Sequence, residues 1–297
     1  MLEYASLRSG IGIPSWRGCL YYAQRFAIHP SIRRAAARMI AAGINLRQQR
    51  PASTLSDAGA RALEWMVRDG YGLLPDMLSP RQIDDILDYL GGKPLLLRDG
   101  SLASLAVAQV RTTIADVPLE TVLNCPHVLE LANSPILIGL ARSYLGCMPT
   151  ISTIGIRWSF PGSGEAVQTQ NFHRDPDDWR FFKFFLYLSD VDLESGPHIY
   201  VKGTHRQAGT LRARRLNLED LERRYGSDAV IAVTGPRGTA FVADTYGIHA
   251  GPVPISRPRL LLEVGYSILP VFALQYRPRP IDHGQMLDPY VNRLLLR

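Results

Sequence analysis

The sequence predicts a mostly β protein, an antiparallel jelly-roll or cupin-like barrel with flanking helices. Two textures carry that expectation. Up to about residue 145, apolar residues recur mostly at helical spacing, in segments bounded by Ser, Pro and Gly. From Thr150 onward they gather into β-branched or aromatic runs, over 151–160, 166–173, 181–188, 198–201, 229–233, 239–243 and 260–268. Pro, Gly, Asp and Ser clusters separate these runs, as strands joined by turns require. Only one helical period, around 218–225, falls among them. Strands that do not alternate with helices argue against a βαβ fold.

Taken in order, residues 15–48 read as two helical segments parted by Pro30, with Tyr21, Tyr22 and Phe26 in the first and Ile32, Ala36, Met39 and Ile40 in the second. Arg33, Arg34 and Arg38 crowd the second segment and are expected to form a solvated basic face. A membrane-surface or partner contact is the alternative. Residues 48–54 read as a linker. Ser56 and Asp57 then cap a helix running through Ala62, Leu63, Met66 and Val67. A short strand is expected at 69–74, and Ser79-Pro80 opens a helix that buries Ile83, Ile86, Leu87 and Leu90 and stops at Gly91-Gly92. Residues 93–125 show no clear period. A helix over 128–145, broken at Pro135, ends at Gly146. The expected division is a basic helical appendage over 1–50 and one barrel domain over 55–297. The appendage supplies no predicted ligand and is expected to be dispensable for chemistry.

Composition bounds the function classes. The 297 residues are 46% hydrophobic and 20% charged, ordinary for a globular chain with a sizeable core. No apolar run approaches the roughly 18 residues of a membrane span. The first residues show no secretory signal, and Cys19, Cys125 and Cys147 suggest neither a disulfide framework nor a zinc ribbon, so a reducing cytoplasm is expected. Residues 1–50 hold eight arginines and one acid, Glu3, a net +7 within a chain of net +6. The remainder is near −1, so the barrel has no general attraction for nucleic acid, and a small-molecule substrate is expected.

The residues that can carry chemistry are His173, Asp175 and His249. Side chains two apart in an extended strand share a face, which places His173 and Asp175 together. Two imidazoles and a carboxylate on two strands form the 2-His-1-carboxylate facial triad of non-haem Fe(II) oxygenases. A lone His-x-Asp is weak by itself.

Four stretches strengthen it: 69–74 with Leu78-Ser79-Pro80; Phe172-His173-Arg174-Asp175; 183–191 with Ser195-Gly196-Pro197-His198 and Gly203-Thr204-His205-Arg206; and Asp244-Thr245 with His249 and Arg257-Pro258-Arg259. In order and separation, residues from about 65 to 268 resemble the phytanoyl-CoA dioxygenase family of Fe(II)- and 2-oxoglutarate-dependent oxygenases. The resemblance implies a double-stranded β-helix, with His173, Asp175 and His249 as iron ligands. Halogenating relatives place Ala or Gly where Asp175 stands, so hydroxylation or another oxidation is expected.

In this family an arginine about ten residues beyond the distal histidine holds the far carboxylate of 2-oxoglutarate. Arg259 fits, with Arg257 as competitor in the preceding turn. Many members carry Ser two residues after that histidine; this chain has Gly251, so another donor must take over. Lys183 and Tyr187 share one strand face with Phe185. Lys183 either snorkels from a sheet edge or reaches an anion inside the barrel, and the resemblance implies a place near the co-substrate for it and for Tyr187. His198 reads as a strand-start residue and His205 as a turn residue. Asp177-Asp178-Trp179 is either a polar turn or part of a substrate lid.

The expected activity is an Fe(II)/2-oxoglutarate-dependent dioxygenase that uses O₂ to hydroxylate, or otherwise oxidise, a C–H bond of a small biosynthetic molecule, releasing succinate and CO₂. Two other classes fit the barrel: a non-oxidative cupin-type metalloenzyme and a catalytically silent ligand-binding barrel.

Overall fold

The computed structural model describes residues 3–7, 15–48, 55–162, 168–208, 216–280 and 287–297. Most of the expected linker (49–54) lies outside them. The N-terminal region contributes strand β1 (Glu3–Tyr4) and helices α1 (Trp16–Phe26) and α2 (Pro30–Gln48). Next come α3 (Asp57–Arg68), β2 (Tyr71–Leu74), α4 (Pro80–Leu90), β3 (Leu95–Leu96), β4 (Leu102–Ala103), α5 (Leu105–Arg111), β5 (Ile114–Asp116), α6 (Leu119–Leu123), α7 (Val128–Ala132) and α8 (Pro135–Leu145). The strand-rich half holds β6 (Thr150–Ser159), β7 (Phe181–Tyr187), β8 (His198–Val201), α9 (Leu218–Tyr225), β9 (Val230–Val233), β10 (Ala240–Ala243), β11 (His249–Ala250), β12 (Arg259–Ser267), β13 (Leu274–Gln275) and α10 (Pro289–Asn292).

Local chemistry sets the helix ends. Ser79 and Gln82 form a reciprocal capping box with Pro80 in the first turn of α4. Ser134 caps α8, and Gly146 ends it at φ 79°, a left-handed conformation that favours glycine.

The large sheet is antiparallel in the order β2-β10-β7-β12-β6-β5-β3-β4, and a smaller one runs β11-β8-β9. Central β7 shows why they pack as a barrel. Phe182, Phe184 and Leu186 face the core shared with Met66 of α3 and Leu137 and Leu140 of α8. Phe185 and Tyr187 face the other way, against Tyr200 of β8 and Phe241 of β10. Burying a Phe side chain contributes about 1.5–3 kcal/mol, and truncating one to Ala in such a core costs about 3–5 kcal/mol. The alternation leaves Lys183 on the inner face.

Two expectations need correction. Residues 166–173 are not a strand: Gln168–Gln170 form a 3-10 turn, and His173 makes only an isolated bridge to His249. Residues 166 and 167 lie outside the described set. Arg33 is not on a solvated face. It is 5% exposed, donating to the carbonyls of Gln24 (2.9 Å) and Asp178 and lying 4.0 Å from the Tyr246 ring centre. A guanidinium buried there satisfies backbone oxygens that water would otherwise reach. Arg34 and Arg38 are exposed. Among the described residues no helix is long and apolar enough to cross a membrane.

Candidate metal centre

The segment after the 3-10 turn is held extended by backbone pairing rather than by a full strand. His173 and His249 exchange N–H to carbonyl hydrogen bonds (2.9 and 3.0 Å), and the Asp175 N–H donates to the Thr245 carbonyl (2.8 Å). That short antiparallel ladder turns His173, Asp175 and His249 to one side. Gly247 permits the approach, since a Cβ there would fall 2.0 Å from the Tyr200 hydroxyl, which donates to the Asp244 carbonyl.

Ligand-capable atoms of the three side chains lie within 4.8 Å of one another. His173 Nε2 is 3.3 Å from Asp175 Oδ1, and His249 Nε2 is 3.6 Å from Oδ2. Each Nδ1–H is directed at a backbone carbonyl, Asn171 for His173 (2.8 Å) and Gly247 for His249 (3.0 Å). These bonds fix the tautomer and leave each Nε2 lone pair facing Asp175. The donor set is the one that suits Fe(II) with open positions.

Charge is concentrated here. Burial and then the His173 charge lower His249 to about 3. Burial opposes a charged His173, but the hydrogen bond and charge of Asp175 outweigh it and raise its pKa. Burial likewise opposes an ionised Asp175, yet Lys183, His249 and His173 hold it well below the usual carboxylate range. Lys183 Nζ pairs with Asp175 Oδ2 at 2.9 Å and Asp177 Oδ2 at 3.5 Å.

The triad lines a cavity of about 730 Å³ that also reaches Arg259, Lys183, His198, Glu263 and Arg157. Arg259 is 5% exposed. Its Nη2 donates to Ser159 Oγ at 3.3 Å, while Nε and Nη1 have no partner among the described residues. A buried guanidinium with unmet N–H groups fits a carboxylate ligand, which accepts charge-assisted hydrogen bonds from it. Arg257, by contrast, is exposed and already paired with Asp192 at 2.6 Å.

Tyr187 does not line the cavity. Its buried hydroxyl donates to the Val233 carbonyl (2.8 Å) and accepts from the His198 N–H (3.0 Å). Burial pushes the phenol up to about 12. Lys183 does line it, but beside Asp175 and Asp177. Asp178 belongs to neither a polar turn nor a lid. It is fully buried and accepts from the N–H groups of Trp179 (2.7 Å), Ile268 and Leu269 (both 2.8 Å).

Sequence reasoning missed three contributions. Tyr21 and Arg25 of α1, with Tyr4 of β1, form part of the cavity wall. Nothing in residues 1–50 signals that, because the contact depends on packing across the whole chain. His198 is 5% exposed and faces the cavity. The two-residue period of β8, which puts it on the same side as Tyr200, was the available clue.

Comparison with known proteins agrees with this geometry. The family model described as phytanoyl-CoA dioxygenase (PhyH) matches residues 66–253. Among curated proteins, no sequence relative matches. Among solved structures, EctD from S. alaskensis with bound Fe is 21% identical, with a TM-score of 0.54 covering 83% of this chain and 90% of that one. HygX from Streptomyces hygroscopicus, with nickel and 2-oxoglutarate bound, is 15% identical, with a TM-score of 0.50 covering 76% and 91%. The non-haem α-ketoglutarate-dependent carbocyclase SnoK from nogalamycin biosynthesis is 18% identical, with a TM-score of 0.50 covering 73% and 85%. At such identities these likenesses concern the fold, a jelly-roll barrel with flanking helices. The family model spans well over half of the sequence, and the chain belongs to the phytanoyl-CoA dioxygenase family of Fe(II)- and 2-oxoglutarate-dependent oxygenases.

Proposed function

We propose that this chain holds Fe(II) through His173, Asp175 and His249, holds 2-oxoglutarate through Arg259, and hydroxylates a C–H bond of a small biosynthetic molecule. One observation carries the reading: a buried, half-satisfied arginine lines the same cavity as three convergent metal-ligand side chains. Bound iron with its co-substrate supplies the oxidation itself, coupling O₂ reduction to decarboxylation of 2-oxoglutarate to succinate. The chain's own residues bind and orient. Each Nδ1–H hydrogen bond places the proton of the neutral ring on Nδ1 and leaves Nε2 as the nitrogen that would meet a metal, which needs it unprotonated. Lys183 balances the second oxygen of Asp175 and holds the carboxylate in one rotamer.

The cavity wall favours a polar substrate over a long acyl chain. Asp116 accepts from Arg157 at 2.7 Å, and Asp177 and Glu263 share the same wall. An aliphatic chain would strip water from these charged groups and return no hydrogen bond.

The test is anaerobic addition of Fe(II) and 2-oxoglutarate, followed by exposure to O₂ with a panel of polar metabolites. A visible charge-transfer band and substrate-dependent succinate release are expected. Tight metal binding with no response to 2-oxoglutarate would instead favour a non-oxidative metalloenzyme.

A further inference from the structure

We propose that His198 is a co-substrate-binding residue whose Nε2–H donates to the far carboxylate of 2-oxoglutarate, completing the cradle that Arg259 begins. This rests on the co-substrate reading above. Strands β8 and β11 are antiparallel, with His249 opposite Tyr200 and Ala250 opposite Ile199. Strand β11 ends at Ala250, and the Gly251 N–H donates to the Thr169 carbonyl (3.1 Å); carrying the register on by one residue brings Gly251 to His198, on the same face. The His198 ring lies on the metal side, its centre 5.5 Å from that of His249 with an interplanar angle of 21°.

Gly251 leaves room that Arg259 occupies: a Cβ at position 251 would sit 3.0 Å from Arg259 Nη2. Glycine itself supplies no hydroxyl to a ligand held by that guanidinium. The residue across from it can. His198 Nε2 is buried and has no hydrogen-bond partner among the described residues.

The rest of the residue is firmly held. Its backbone N–H donates to the Tyr187 hydroxyl, and its ring packs against Phe185 at 4.9 Å and Phe241 at 5.3 Å between centres. With its proton on Nε2, the ring has an N–H to give. A buried donor fixed in place, unmatched by protein and flanked by the guanidinium, is matched when a carboxylate enters.

The experiment uses the full-length protein loaded with Fe(II) under anaerobic conditions, titrated through the charge-transfer band. The two ligands are 2-oxoglutarate and 2-oxobutyrate, which keeps the chelating end but lacks the far carboxylate. His198→Leu should raise the 2-oxoglutarate Kd roughly tenfold, the loss of one hydrogen bond to a charged group. Binding of 2-oxobutyrate and of Fe(II) should be unchanged. His198→Gln, which can present an N–H near the same point, should recover most of the loss. Should the Leu variant fail to fold, His198→Met carries the same comparison.

Unchanged 2-oxoglutarate affinity in the Leu or Met variant overturns the assignment. Equal losses for both ligands, a fall in Fe(II) affinity, or no recovery in the Gln variant also overturn it, since the ring would then act through packing on His249. Failure of the co-substrate reading itself looks different: the wild-type protein would not bind 2-oxoglutarate, or Arg259→Ala would bind it as well as wild type.

Discussion

Gln24 and Asp178 are separated by 154 positions in the chain and joined by a 3.1 Å hydrogen bond, the amide Nε2 donating to Oδ1. Arg33 donates to the Asp178 carbonyl from the next helix, and the residues just past β12 donate to its other carboxylate oxygen. One aspartate, three positions beyond Asp175, therefore ties α1, α2 and the end of β12 to the metal segment. The basic N-terminal region packs against the segment that carries Asp175.

Removing that region should be felt. Arg33→Ala leaves two buried carbonyls without their donor, at a cost of about 1–3 kcal/mol. For a chain of this size that corresponds to a fall in unfolding temperature of roughly 2–4 °C per kcal/mol. Deleting residues 1–50 should keep Fe(II) binding, because no candidate ligand is lost, yet lower thermal stability and open the wall formed by Tyr4, Tyr21 and Arg25. An unchanged melting temperature in both variants would show that the docking contributes nothing.

Loss of any one of the three convergent side chains should separate metal binding from folding. His173→Ala and His249→Ala leave two candidate ligands, so Fe(II) binding should weaken by at least tenfold and succinate formation should fall to background. Asp175→Gly should stop hydroxylation while keeping weak iron and 2-oxoglutarate binding through the two imidazoles. Metal titration alongside circular dichroism checks all three; full turnover in any of them would dismiss the assignment.

What the sequence revealed followed from local chemistry. The alternation along β7 was legible because its two faces differ in kind, Phe182, Phe184 and Leu186 against Lys183, Phe185 and Tyr187. The helix at 218–225 was legible from its period, and Asn217 caps it and Gly226 ends it. Residues 93–125 were not: β3, β4, β5, α5 and α6 are each seven residues or shorter. Such elements are too short for a period to emerge. The metal segment reads like a strand because Phe172 and its neighbours suit one, but among the described residues its backbone bonds go to isolated positions, His173 to His249 and Asp175 to Thr245. Tyr187 was misplaced for a related reason. Alternation says which face a side chain takes, not whether the hydroxyl at its tip stops at a backbone carbonyl before reaching a cavity.

Metal binding should depend on pH through His173. Asp175 raises that imidazole above its ordinary pKa, so without metal the protonated pair contributes stability that is fully present below about 6.5 and lost as pH rises through the raised value. Metal binding demands the reverse, an unprotonated Nε2. His249, held to about 3, carries no second proton for the ion to displace. The rise in melting temperature produced by Mn(II) should therefore be larger at about pH 8 than at about pH 6. A metal-induced shift that is flat or falls across that interval would contradict the ligand role of His173.

The two arginines at the start of β12 can be told apart by 2-oxoglutarate alone. Arg259 is buried with two nitrogens unmatched, whereas Arg257 is exposed and engaged with Asp192. Removing one partner of a buried charge pair costs about 3–5 kcal/mol, and each 1.4 kcal/mol is a factor of about ten in affinity. Arg259→Ala should thus weaken 2-oxoglutarate binding by roughly 100-fold or more, with Fe(II) affinity little changed. Arg259→Lys should recover only part, because an ammonium cannot reproduce the planar fork that meets both carboxylate oxygens. Arg257→Ala removes a screened surface pair worth about 0–1 kcal/mol and should change the apparent constant by less than about threefold. The measurement is the 2-oxoglutarate dependence of succinate production in the three variants at fixed iron. A large loss in Arg257→Ala with a small one in Arg259→Ala would mean that the co-substrate lies outside the cavity, against the exposed turn.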